Sequence, residues 1–87
     1  MKRKFYFYNA GRQPLNDGQQ RAYDAVMEFR KRQLRMPRPT ELADFMGVGV
    51  QYAQSRMNEL CGRGWLRRVY QRRWMEYVLV DDDVLAE

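Results

Sequence analysis

The stretch PTELADFMGVGVQYAQSRMNEL, residues 39–60, decides the fold. It divides at Gly47-Val48-Gly49 into two segments whose apolar residues recur at helical spacing. In the first, Leu42, Ala43 and Met46 are apolar, Thr40 can cap the start or Pro39 can occupy the first turn, and Gly47 suits the left-handed residue that ends a helix. In the second, beginning near Val50, a core-facing stripe of Ala53, Met57, Leu60 and Cys61 runs until Gly62 and Gly64 stop it. Positions Val50, Gln51, Tyr52, Gln54, Ser55 and Asn58 turn outward, and none of these six carries a charge. Any functional reading has to account for that face.

Working outward, Trp65–Tyr70 and Trp74–Val80 read as strands joined through Gln71-Arg72-Arg73, a hairpin with a basic tip. Alternation places Arg68 and Tyr70 on one face of it and Arg67 and Val69 on the other. Upstream, Leu15 and Asn16 with Gln19 three residues on spell a capping box, so a helix starts there. Ala22, Val26 and Phe29, with Tyr23 and Met27 beside them, give its buried stripe to about Gln33. Arg30, Lys31 and Arg32 complement the negative end of its dipole. Met36-Pro37-Arg38-Pro39 cannot be helical throughout, because each proline biases its predecessor to extended backbone. Lys4–Tyr8 reads as a short aromatic edge strand. The chain is thus expected to have an N-terminal arm with a strand (1–14), one folded domain (15–80) and a disordered acidic tail (81–87). Strand, three helices, then a hairpin is the order of a winged helix-turn-helix, an α+β fold.

Eighty-seven residues allow a single small core. The net charge is +5, but Asp81, Asp82, Asp83 and Glu87 hold four of the eleven acids, so residues 1–80 carry 16 minus 7, or +9. That balance calls for an anionic partner. A lone Cys61 excludes an internal disulfide and fits a reducing compartment, the cytoplasm. Only four apolar residues, Phe5 to Tyr8, follow the basic start, which is too few for a signal peptide or a membrane span. With no histidine and one cysteine, neither a His-activated nucleophile nor a common zinc site can be assembled. The acids are scattered or crowded at the terminus rather than paired. No enzyme activity, metal or cofactor is expected.

The ungapped run ELADFMGVGVQYAQSRMNELCGRGWL resembles the helix-turn-helix of bacterial winged-helix repressors, and LNDGQQRAYDAV with the Met-Pro connection resembles the DNA-binding domain of the LexA repressor family. The resemblance covers roughly residues 15–80. It implies a double-stranded DNA-binding protein, a small transcriptional regulator similar to those of phages and mobile elements, whose second motif helix enters the major groove. The protease domain of that family is not expected in so short a chain. By this resemblance Val50, Gln51, Tyr52, Gln54, Ser55 and Asn58 become base-reading residues, and Gln and Asn suit adenine while Val50 suits a thymine methyl. Arg35, Arg38, Thr40, Arg56, Arg68, Arg72 and Arg73 are expected at the DNA backbone or minor groove. A homodimer on a palindromic site is the expected assembly.

Three departures from the family leave a protein-interaction module as the alternative. Gly49 stands where a Ser cap is usual, and no Lys or Arg precedes Arg56 in the second motif helix, which removes the commonest guanine contact. Phe45 occupies a position that is usually polar; next to Tyr52 it would make an apolar patch for a protein partner. Three further features stay open. Trp65, Trp74, Tyr77, Phe5 and Phe7 serve either core packing or the stacking of single-stranded bases. Lys2-Arg3-Lys4 is a minor-groove arm or a solvated terminus. The acidic tail is either solvated or a mimic of nucleic acid.

Overall fold

A computed structural model describes residues 12–70 and 72–80. It shows a small α+β fold of three helices, α1 (Asp17–Gln33), α2 (Pro39–Met46) and α3 (Val50–Gly62), followed by β1 (Leu66–Tyr70) and β2 (Met75–Leu79). The expected edge strand at 4–8, the basic arm at 2–4 and the acidic tail lie outside the described residues.

Helix α1 starts where its capping box predicts. The Asn16 side chain accepts the Gln19 N–H at 2.8 Å, and the Gln19 side chain accepts the Asn16 N–H at 3.0 Å, an arrangement that stabilises a helix by about 1 kcal/mol. Ala22, Val26 and Phe29 are buried as expected, whereas Met27 is exposed, since it lies beyond the edge of the stripe that α2 and α3 cover. The helix ends on Leu34 in the left-handed conformation, φ 60°, with its N–H bonded to Arg30 O. A branched side chain there costs roughly 1 kcal/mol against glycine. Because Leu34 is 84% exposed it buries nothing in return. Leu34→Gly is therefore expected to raise stability by about 1 kcal/mol, measured as a higher midpoint in urea; a lower midpoint would show that the strain is absent.

Helix α2 begins with Pro39 at its first position and Arg38 as N-cap, which corrects the option of a Thr40 cap. Proline wins because its missing N–H is one the first turn leaves unpaired anyway. Thr40 lies one residue inside, exposed. An arginine has no acceptor, so capping here is one-sided: the Glu41 carboxylate accepts the Arg38 N–H at 2.9 Å. Gly47 closes the helix at φ 73°, as its position predicts. In α3, Ala53, Met57 and Leu60 are fully buried, and Met57 shares one cluster with Val26, Leu42 and Leu66.

The strands pair antiparallel from Leu66↔Leu79 to Tyr70↔Met75. Leu66, Tyr77 and Leu79 cap the helical core from one face of the hairpin, and Arg68 and Tyr70 continue that face outward. Among the described residues little covers the far end of the hairpin: Tyr70 is 74% and Trp74 60% exposed. Of the two readings offered for Trp74, this goes against core packing. Trp65 is half-buried instead, edge-on to Tyr23 at 5.1 Å, with its indole N–H donated to Gln13 O. Together with the bonds Gln13 N to Arg63 O and Arg63 Nη1 to Pro14 O, that contact docks residues 13–14 on the turn between α3 and β1.

Candidate nucleic-acid interface

Successive residues of α3 turn by about 100°, so burying Ala53, Met57 and Leu60 leaves Gln51 and Ser55 at the centre of the outer face. Both are exposed, as is Val50 in the first turn. The flanks of that face are held by side-chain bonds that the sequence does not reveal.

On the flank toward α1, Glu59 accepts Gln19 Nε2 at 3.0 Å and Arg56 Nη2 at 2.8 Å, while the Arg56 guanidinium stacks 4.8 Å from the Tyr52 ring. Arg56 is thus tied within the fold rather than extended toward a phosphate. Glu59, the only carboxylate on α3, is neutralised by the same contact. The outer face therefore carries neither a free acid nor a free base.

On the opposite flank, Gln54 Nε2 donates to the Tyr77 hydroxyl at 2.7 Å, and that hydroxyl donates to Asn58 Oδ1 at 3.0 Å. Arg68 Nη2 donates to the same Asn58 oxygen at 2.9 Å. Burial raises the Tyr77 pKa, with a smaller push from Cys61. The hydroxyl therefore stays protonated and keeps both roles at neutral pH. Asn58 is exposed, as its helix face predicts, but it is not idle: it joins α3 to the hairpin. Burial likewise raises the Cys61 thiol, which keeps it in the unreactive neutral form.

The expected patch of Phe45 beside Tyr52 does not form. Phe45 packs edge-on to Phe29 at 5.7 Å and beneath Arg32, near the C-terminal end of α1. The Tyr52 hydroxyl lies against Gly18 at the other end. Eleven residues of α1 separate the two contact points, about 16 Å of helix.

Among the arginines expected at a phosphate backbone, Arg35 is committed elsewhere. It grips Glu41 through two bonds of 2.8 and 2.7 Å, with its guanidinium over the Phe29 ring. The Arg35 hydrogen bond, helped by the Arg38 N–H, lowers the Glu41 pKa from 4.5 to about 2. A lowered carboxyl pKa contributes stability that is present above the unfolded value of 4.5 and is lost as the pH falls from there toward 2. The gap in thermal midpoint between the native chain and Glu41→Gln should accordingly be full near pH 6 and close as the pH drops to about 2. A gap that persists at the acid end would mean that the ion pair is not its source.

Arg38, Arg72 and Arg73 are exposed, and their guanidinium groups make no hydrogen bond or ion pair among the described residues. The fold thus has a neutral outer face on α3 and a hairpin tip whose two arginines are unpaired among the described residues. The sequence reading placed Tyr70 in the first strand, where β1 ends, and began the second at Trp74, whereas β2 begins at Met75; the position of both aromatics beside Arg72-Arg73 was the available sign that they lie at the exposed tip. No helix of the described residues is long and apolar enough to cross a membrane. No family model, no curated protein and no solved structure matches the chain.

Proposed function

We propose that this protein is a winged helix-turn-helix that binds double-stranded DNA as a small transcriptional regulator of the LexA-like type. In this reading α3 enters the major groove and the hairpin acts as a wing on the phosphate backbone. The observation that carries it is the charge layout: α3 presents an acid-free polar face while Arg72 and Arg73 project unpaired from the adjoining hairpin. Neutral donors and acceptors at the centre with cations at the border match a duplex, whose base edges are neutral and whose rims are phosphate. Gln51, Ser55 and Val50 are the base-reading residues. Gln54 and Asn58 set the angle between helix and wing, with capacity left for a base edge. Arg38, at the start of α2, is a positioning contact.

Selection of bound sequences from random duplex DNA tests the proposal. An enriched motif is expected, with two half-sites if the protein works as a homodimer. Gln51→Ala should flatten preference at one base pair, costing about 1 to 3 kcal/mol on the best site and little on random DNA. Equal loss on both would make Gln51 a positioning residue, and no enrichment at all would remove sequence-specific regulation.

A second reading, a protein-interaction module, draws support from the exposure of Val50 (47%) and Tyr52 (41%) at the uncharged start of α3. A protein partner would leave the binding free energy nearly indifferent to Arg72 and Arg73, whereas a duplex would not.

A further inference from the structure

The connection between α1 and α2 runs alongside β2, and between them lies a groove of roughly 700 Å³, a size that accommodates a small organic ligand. Its walls are of two kinds. Met36 and Pro37 from the connection face Met75 and Tyr77 from the strand, while Trp74 stands at the groove with 60% of its surface exposed. Arg30, Arg35 and Arg38 line the same space against one carboxylate, Glu76. Arg35 is held by Glu41, but the guanidinium of Arg38 is bonded to nothing among the described residues. The Trp74 indole N–H makes a long contact of 3.4 Å to Glu76, which holds one edge of the ring toward the strand.

We propose that this groove is a nucleotide site, in which an unpaired base stacks on Trp74 and its phosphate meets Arg38. A simple anion would use the arginines and leave the indole idle. A plain hydrophobe would use the indole and leave the Arg38 guanidinium, which bonds to nothing among the described residues, desolvated. A nucleotide carries a flat π face and an anionic group on one short frame, and base stacking on an aromatic side chain is tolerant of sequence. Gln54 of α3 also lines the groove, so it opens beside the proposed reading face. A strand that frays or continues past a duplex on that face can therefore reach it. In this strand form the proposal rests on the DNA reading; the chemistry of the groove itself does not, since a free nucleotide carries the same two groups.

The test compares the full-length protein on a blunt duplex and on the same duplex with a short oligothymidylate overhang, by fluorescence anisotropy. The overhang should be bound about tenfold more tightly. Trp74→Ala should lose that gain and keep its affinity for the blunt duplex, and Trp74→Phe should retain most of the gain, since a phenyl ring still stacks. Trp74 is exposed, so neither change threatens the fold. Tryptophan emission should be quenched on binding the overhang in the native chain and not in Trp74→Phe. Free dTMP forms the second arm. If it quenches saturably while the overhang adds nothing, the site stands and its occupant is a free nucleotide. Equal affinity for both duplexes with no quenching by dTMP overturns the site and leaves the DNA reading intact. Quenching by dTMP without binding of either duplex overturns the DNA reading and leaves the site; silence in every arm overturns both.

Discussion

Met57→Ala is expected to lower the free energy of unfolding by about 2 to 5 kcal/mol, the range for emptying a well-packed site. Met57 is fully buried, four residues after Ala53 and three before Leu60, in the cluster where α1, α2, α3 and the hairpin meet. Asn58, one residue further and turned about 100°, provides the comparison. From the helix face alone its replacement by Ala would be nearly neutral, but its oxygen accepts from both Tyr77 and Arg68. Loss of that acceptor should cost about 1 kcal/mol. Urea denaturation of the two variants gives the ranking, and an Asn58 variant weaker than the Met57 one would mean that the assigned face of α3 is wrong.

The second large effect concerns the wing. If Arg72 and Arg73 each neutralise one phosphate of the proposed duplex, their joint replacement by Ala reduces the slope of log affinity against log salt by about 2. At about 0.1 M salt this amounts to a loss on the order of 50-fold, equal on preferred and random sequences. Both residues are exposed and outside the core, so the unfolding transition should not move. Filter binding over a salt series separates the outcomes. An unchanged slope would take the wing off the backbone and favour the protein-partner reading.

Local chemistry was the legible part of this sequence. The capping box of Asn16 and Gln19, the left-handed Gly47 and the stripe of Ala53, Met57 and Leu60 are each specified within a few residues, and each stands where periodicity or turn chemistry predicts. What did not show was pairing across distance. The bonds of Tyr77 to Gln54 and Asn58 span 23 and 19 residues, and that of Gln19 to Glu59 spans 40. No periodicity encodes them, so residues assigned to an outer face by spacing turned out to be partly engaged. Trp74 illustrates a different limit. Size and hydrophobicity favour burial, but at the far end of the hairpin the described residues leave both Tyr70 and Trp74 largely uncovered. Arg35 and Arg56 show a third: charge alone says that a cation seeks an anion, and here the anions are Glu41 and Glu59 of the chain itself.

The bridge of Gln54, Tyr77, Asn58 and Arg68 ties α3 to the hairpin through three side-chain hydrogen bonds. If the two grip DNA as proposed, parts that cannot swing independently pass the work of adjustment to the ligand. For a duplex, that work is bending and changing groove width, and its cost varies with base steps the protein never touches, lower at pyrimidine–purine steps and higher in stiff A-tracts. Selectivity would then extend beyond the few bases under α3, into the flexibility of the DNA between helix and wing. Cutting the bridge, as in Asn58→Ala, would let the protein absorb the misfit and make it more tolerant of rigid sites.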